Sequence, residues 1–407
     1  MEKRISLRDV IFIIGGVYHY KNGEKTEYID VAAHKFLSNF IDGIDNSCKV
    51  IVINDVRRKS YPLGKKLFQG YAKDKIDDIT YYDMPYINLP GIKYVTKCIS
   101  YLCIGGVLLL KFSDRIRDAF VYSMHTPYLL LCPIIGSKEI RTTMIVPDLP
   151  LFMDTRLYEK KVKSFLKTLD FSLQKKLIKK VKNYILISKY MKAELEIKSQ
   201  NCLIVEGLVK EQESYAINKY FKKYPKKENV KVVTYTGALN ERYGIPMLIN
   251  IFSKITDVEL WLFGIGDYVE KITEAAIEYP NIKYYGSKNN EEIMYVQSIS
   301  DLLVNPRSAD EEYTKYSFPS KTIEYMLSGT PILCEKLLGI PDDYDVFLNY
   351  VDEPVSERKW LDKIIYLLQD GYVDAKEKAL VAKKYILHEK NNKVQVKKIM
   401  EFLDAQG

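Results

Sequence analysis

Short β-branched runs alternate with helix-period segments along the chain, and that rhythm constrains the fold more than any other feature. DVIFIIGG (9–16) precedes a helical pattern from Asp30 to Ile44, and KVIVIND (49–55) follows it. Strand, crossover helix and strand in this order make a parallel sheet. Further strands are expected at AFVYSM, RTTMIV, NYILIS and NCLIVEG, with a helix SKYMKAELEI after the third. A polar, Lys-rich stretch, KEQESYAINKYFKKYPKKEN (210–229), interrupts the rhythm and reads as a linker or connecting helix. A second series then follows, with strands KVVTYTG, ELWLFG, NIKYYG, DLLVN, TPILCE and FLNYV, and a charged helical stretch closes the chain from Glu377 to Leu403. The fold class is α/β, with two doubly wound, Rossmann-like domains in tandem. Such sheets bind ligands beyond the carboxyl ends of their strands, so a site is expected in a cleft between the domains.

Several classes are disfavoured. The six cysteines have no CxxC pair and no histidine at metal-ligand spacing, which suits buried free thiols in a reducing cytoplasm. The N-terminus, MEKRISLRDVIFIIGG, is basic, but its apolar run is too short for an export signal and reads as a first strand. The run from Cys98 to Leu110 falls short of the roughly 18–20 residues that span a bilayer, and a buried core helix is expected there, with interfacial membrane contact or a partner-binding surface as the alternatives. Residues 159–182 hold nine lysines against Glu159 and Asp170, a net of +7 on amphipathic helical patterns. Such a face suits anionic lipid headgroups at a membrane surface, or is a solvated surface. Few aromatics interleave with these charges, which argues against nucleic acid.

The chemistry concentrates in the second half. After KVVTYTG, a turn from Gly237 to Gly244 leads into a helix, and Arg242 is its only cation. Gly264 and Gly266 in ELWLFGIGD permit close backbone approach, but without a third glycine they make no dinucleotide fingerprint. In NPRSADEEYTKYSFPSKTIEYMLSGTPIL, Pro319 is expected in the first turn of a helix that Gly329 closes. Amides near Phe318, Ser320 and Lys321, the helix dipole and the Lys321 ammonium together suit a diphosphate. Glu324, one turn on, can accept two ribose hydroxyls or simply complement the dipole. In the first half, His125 follows a strand at the carboxyl edge, where an imidazole could hydrogen-bond a sugar or move a proton, or serve structure alone. His19, three residues beyond Gly15-Gly16, is a second candidate.

The series YTGALNERYGI, WLFGIGD, NIKYYG and SFPSKTIEYMLSGTPIL resembles the nucleotide-sugar domain of the family 4 retaining glycosyltransferases, which have the GT-B fold. The likeness is specific over 230–335 and diffuse in the N-terminal half, where Gly15-Gly16, Ser123 to Pro127, Asp148-Leu149-Pro150 and Ile187 to Met191 match. F-P-S-K is similar to a capsular and exopolysaccharide branch. The resemblance implies an acceptor-side domain over 1–210, a linker over 211–229, a nucleotide-sugar domain over 230–385, and a helix from 386 to 407 crossing back. It implies that Glu324 binds ribose, that Arg242 and Lys321 neutralise the diphosphate, and that residues 282–286, Tyr284 among them, border the base. Gly237, Gly264, Gly266 and Ser320 would frame the donor, Gly16 would admit it to the first-domain loop, and His125 would lie near the transferred sugar. Two departures stand out: Tyr316 occupies the position eight before Glu324 where a sugar-contacting glutamate is common, and Ala238 and Tyr243 stand where an Arg and a Lys are common.

The expected protein is a hexosyltransferase at the cytoplasmic membrane face, moving sugar from a nucleotide-diphosphate donor to a lipid-linked glycan with no essential metal and no cofactor. A silent sugar-binding subunit and a nucleotide-sugar epimerase are the alternatives.

Overall fold

The computed structural model describes residues 9–19, 31–149, 161–210 and 220–406. The chain divides into two compact units, Met1–Leu208 with Asn392–Gly407, and Val209–Asn391.

The first unit is built on β1 (Val10–Gly15), β2 (Lys49–Asn54), β4 (Ala72–Ile76), β5 (Ile79–Asp83), β7 (Ile116–Tyr122), β8 (Arg141–Val146), β9 (Asn183–Leu186) and β10 (Cys202–Ile204), in the order β10-β9-β8-β7-β1-β2-β5-β4. All pairs are parallel except β4 with β5. Every residue of β1 is buried, as a strand covered on both faces requires. Strand order reverses direction between β1 and β7, which makes their carboxyl ends a switch point. The small antiparallel pair β3 (Phe68–Gln69) and β6 (Tyr86–Ile87) flanks this sheet. The β4–β5 hairpin, with its turn at Asp77 (φ 52°), was not among the expected strands. Its strand AKDKI is too polar to stand out, because an edge strand needs only one covered side.

The second unit carries β11 (Lys231–Thr236), β12 (Val258–Phe263), β13 (Ile282–Gly286), β14 (Leu302–Asn305), β15 (Ile332–Cys334) and β16 (Asn349–Tyr350), parallel throughout, in the order β13-β12-β11-β14-β15-β16. Its switch point lies between β11 and β14. The part of the polar stretch that is described is integral to this unit: Tyr220 and Tyr224 are buried against Trp261 and Phe263. The phenol of Tyr224 donates to Glu292, so tyrosines in a lysine-rich segment anchor it to the sheet. Residues 211–219 lie outside the described residues.

The charged C-terminal stretch is two helices, Tyr372–Glu389 and Asn392–Asp404. The second belongs to the first unit: Val396, Ile399 and Leu403 are buried in one cluster with Leu37 and Phe40. Gly43 admits it, since a Cβ there would stand 2.6 Å from the Asn392 carbonyl oxygen. The Asn392 amide donates to the Asn39 carbonyl (3.2 Å) and to Asp42 Oδ2 (3.0 Å).

Three expectations need correction. The apolar run is part of a longer helix, Ile92–Phe112, with a π turn over Tyr101–Gly105. One face packs on the core while Ile99, Leu102, Val107 and Leu110 are exposed, so this is no buried core helix. Its 21 residues are enough by length and composition to cross a membrane, because flanking residues before Cys98 extend the helix. Of the cysteines, Cys48, Cys132 and Cys334 are buried, Cys98 and Cys202 only partly, and Cys103 is exposed on that helix. The helix after β9 is one turn, Met191–Glu194, and Glu196 at φ 55° turns the chain out of it.

Candidate functional site

The glycines after β11 and β12 serve each other before any ligand. Gly237 and Leu239 donate to the Phe263 and Ile265 carbonyls (both 2.9 Å), so the two loops lie side by side. A Cβ on Gly264 (φ 139°) would stand 1.7 Å from the Gly237 oxygen, and one on Gly266 would stand 2.1 Å from the Leu239 oxygen. The close approach expected at these glycines is therefore made to the neighbouring loop. Asp267 Oδ1 accepts the Glu241 amide (3.1 Å), and the Tyr284 phenol donates to the Gly264 carbonyl (3.1 Å). Tyr284 thus holds this loop pair in place.

The helix Ser320–Ser328 begins after Pro319 and ends at Gly329 in the left-handed conformation (φ 72°). No side chain caps its N-terminus, and no acidic residue stands in its first turn, so its leading amides and dipole are open to an anion. Tyr325 fixes the helix to the sheet: its oxygen accepts the Thr236 amide (3.0 Å), and burial pushes its pKa up to about 12. This places Lys321 over Gly237, whose Cβ would stand 3.4 Å from Lys321 Cε. Lys321 Nζ reaches Glu324 Oε2 at 2.9 Å on a partly exposed face. Ser320 is exposed beside them. Gly237, Ser320, Lys321 and Glu324, expected together, are neighbours.

Arg242 lies in the short 3-10 turn after β11, and its guanidinium donates to the Tyr243 hydroxyl (2.9 Å). It is 4.9 Å from the Tyr243 ring and 5.3 Å from the Tyr313 ring. Arg307, which follows β14 across the switch point, stacks on the same two rings at 4.6 and 5.7 Å. Sequence reasoning passed over Arg307, because nothing local marks it; the two arginines are 65 positions apart and meet only through the strand order. Among the described residues neither arginine pairs with a carboxylate, and Arg307 Nε is buried without a hydrogen-bond partner. Glu311 acts on Arg242 through space without pairing with it, and two guanidinium groups on one aromatic pair suit an anion. Tyr316, at the end of the 3-10 turn Glu312–Tyr316, lies under the Lys315 ammonium at 4.8 Å.

In the first unit the carboxyl edge of β1, β2 and β7 gathers a second set. Gly16 follows β1, and a Cβ there would stand 3.1 Å from the Asp55 carbonyl and 3.6 Å from Arg57 Nε. His125 is exposed as the N-cap of the short helix Thr126–Leu129, and Arg57 Nη2 donates to its Nε2 at 3.3 Å. A guanidinium only donates, so in this contact the imidazole Nε2 is the acceptor. His19 Nε2 meets Asp83 Oδ1 at 2.8 Å, and its ring stacks on Tyr81. With Asp74 these two form the one group of possible metal-ligand atoms among the described residues, all within 4.8 Å. Arg57, Asp55 and Lys97 were not singled out from sequence; KVIVINDVRRK marks only a strand end followed by charge.

Asp55 organises this edge. It is buried, with Lys97 Nζ at 2.5 Å and the Tyr128 hydroxyl at 2.8 Å. Burial opposes its charge, but the Lys97 ammonium and these hydrogen bonds outweigh burial and hold its pKa below the ordinary value. Since the folded pKa is the lower one, the stabilisation is present at neutral pH and is lost as pH falls through that depressed value. Asp55→Ala, which strands a buried ammonium, is expected to cost about 3–5 kcal/mol. Thermal melts check this, and the wild-type advantage over the variant should shrink below about pH 4.

Comparison with known proteins gives this geometry its setting. Residues 216–387 match the family model described as glycosyl transferases group 1. A stretch of 117 residues, 28% of the chain, is 28% identical to an uncharacterized 41.2 kDa protein in the cps region of Klebsiella pneumoniae, and spans 30% of that relative's length. Among solved structures, the sucrose-phosphate synthase of Thermosynechococcus elongatus superposes with a TM-score of 0.68 at 12% identity, over 98% of this chain and 100% of that one. Anabaena HepE, solved in complex with UDP, gives 0.65 at 13% identity, over 97% and 99%. At such identities the likeness is one of fold, here the GT-B arrangement of two Rossmann-like domains expected from sequence. Arg242, Arg307 and Lys321 thus lie in the stretch, residues 216–387, that matches the glycosyl transferases group 1 model, in a chain with the GT-B fold.

Proposed function

We propose that the protein is a retaining glycosyltransferase that moves a hexose from a nucleotide-diphosphate sugar to a lipid-linked glycan during surface polysaccharide synthesis. The observation that carries this reading is the cationic cluster: Arg242 and Arg307 on one tyrosine pair, neither ion-paired with a carboxylate among the described residues, with Lys321 and an uncapped helix N-terminus in the same unit. Glu324, one turn into that helix, is placed to accept the ribose hydroxyls, and the β13 edge borders the base. The UDP-bound relative and the relative from a cps region support donor and pathway class respectively.

Cleavage of the bond between the anomeric carbon and the diphosphate oxygen leaves charge on the diphosphate. Cations and helix amides already in place stabilise that charge, so no essential metal is required by the scheme. The acceptor hydroxyl bonds to the same face of the anomeric carbon, and its proton passes to the departing phosphate oxygen. In the first unit, Gly16, Arg57 and His125 are assigned to the sugar and its acceptor, and the basic stretch 159–182 to a cytoplasmic membrane surface. Tyr316, which offers no carboxylate to the sugar, favours a second reading, a subunit that binds donor without turning it over.

Thermal shift against UDP-, GDP- and dTDP-sugars, followed by radiolabelled transfer to lipid-linked acceptors, separates the two. Stabilisation without transfer would establish the second reading, and response to none of the donors would sink both. Arg307→Ala is expected to weaken donor binding by about ten- to a hundredfold, since a charge-assisted hydrogen bond contributes roughly 1.5–3 kcal/mol. Titration calorimetry with the responding donor checks it; Arg358→Ala, an exposed arginine paired with Asp362, serves as the control and should change nothing.

A further inference from the structure

We propose that the outer face of the helix Ile92–Phe112 is the surface by which this protein docks on an anionic lipid bilayer. The proposal deepens the membrane reading above and moves its centre from a charged helix to an apolar one. Ile92, Val95, Ile99, Leu102, Val107 and Leu110 are each 43–64% exposed. Their spacing is three, four, three, five and three residues. The step of five would carry an α-helical stripe off its face, but it spans the π turn Tyr101–Gly105, which winds extra residues into the helix. The π turn keeps the apolar stripe in phase over the full length.

The opposite face is committed to the protein. Tyr101, Leu108 and Leu109 are buried, and Gly105 and Gly106 bring the backbone against Leu131 and Ile134. Crossing a bilayer would strip these contacts, whereas lying on its surface keeps them. The loop before the helix extends the patch: Leu63 is 87% exposed and Phe68 61%. Asn88 ties that loop down by donating to the Lys59 and Lys66 carbonyls (2.8 Å each), and Lys93 Nζ donates to the Arg58 carbonyl (2.5 Å).

Charge selects the occupant. Residues 59–69 and 92–112 contain six lysines and no acidic residue; Lys97 pairs with Asp55 and Lys93 with a carbonyl, while Lys59, Lys65, Lys66 and Lys111 are exposed. The helix Lys161–Ile178 adjoins through the Tyr94 hydroxyl, which donates to Asp170. That carboxylate, the only acid from 161 to 182, also accepts from Thr126 and Gln174, so it is turned to the protein side. Lys176, Lys179 and Lys180 are exposed there. An apolar stripe rimmed mainly by lysines, with Asp114 exposed just past its end, matches acyl chains beneath negative headgroups.

The test sediments the full chain with vesicles of phosphatidylcholine alone and of phosphatidylcholine mixed with phosphatidylglycerol. Wild type should pellet with the mixed vesicles, and I99E/V107E should bind them at least about tenfold more weakly, since it loses two apolar contacts and gains two repelled charges. Both positions are exposed, so melting should be unchanged. Equal binding by the two proteins, or no binding by wild type, overturns the proposal. So does light scattering that shows a wild-type dimer which I99E/V107E dissociates, because a second copy would then cover the face. Thermal shift with UDP-, GDP- and dTDP-sugars on the same samples separates the readings: a donor response without vesicle binding defeats only the docking surface, and vesicle binding without response to any of the donors defeats only the donor-site readings.

Discussion

Glu324→Ala is expected to reduce transfer by a hundredfold or more while leaving the fold intact. The carboxylate is assigned two ribose hydroxyls, and hydrogen bonds to a charged group contribute roughly 1.5–3 kcal/mol each. The loss should appear mainly in donor binding, because the ribose is remote from the bond that breaks. Structurally the change is mild: Glu324 is partly exposed, and its 2.9 Å pair with Lys321 is a type of surface pair worth about 0–1 kcal/mol. Glu324→Gln keeps the shape but loses the charge, and should fall between wild type and Ala. Steady-state kinetics with the responding donor, beside a melting curve, provides the check. Unchanged kinetics in Glu324→Ala would remove the ribose assignment.

Gly264→Ala should be the most damaging single methyl in the second unit. The added carbon would stand 1.7 Å from the Gly237 carbonyl oxygen, and both partners are backbone, so no rotamer change relieves the clash. The φ of 139° also disfavours any side chain. A loss of about 3–5 kcal/mol follows from this kind of overpacking and strain, which for a unit of this size lowers Tm by roughly 10 °C. Gly286→Ala is the control. Its φ of 72° carries the left-handed penalty of about 1–2 kcal/mol, but no atom lies within 4 Å of the added carbon. Equal melting of the two variants would show that the loop pair is not held by this contact.

The unequal legibility of the two units has a physical cause. In the second unit the chemistry is local: Pro319, Lys321, Glu324 and Gly329 lie within eleven residues, and a helix with a bare N-terminus can be read from their spacing. The strands KVVTYTG, ELWLFG and DLLVN were legible because strands buried on both faces are apolar without alternation. The β4–β5 hairpin and the one-turn helix after β9 were not, because an edge strand and a short helix depend on neighbours more than on their own propensity. The same holds for Tyr220 and Tyr224, whose segment looks solvated until Trp261 and Glu292 are seen beside them.

The sequence by itself determined two parallel α/β units, the helix that begins after Pro319, and the glycines at which the loops must turn, since strand period, helix capping and positive φ are properties of adjacent residues. Tertiary structure alone decided that Arg307 joins Arg242, because only the strand order β11-β14 brings those loops to one edge. It alone decided that Arg57 holds His125 and that Lys97 answers Asp55. It also turned the apolar run after Lys97 outward. Composition reports how apolar a helix is, but which of its faces finds a protein partner depends on the elements packed against it.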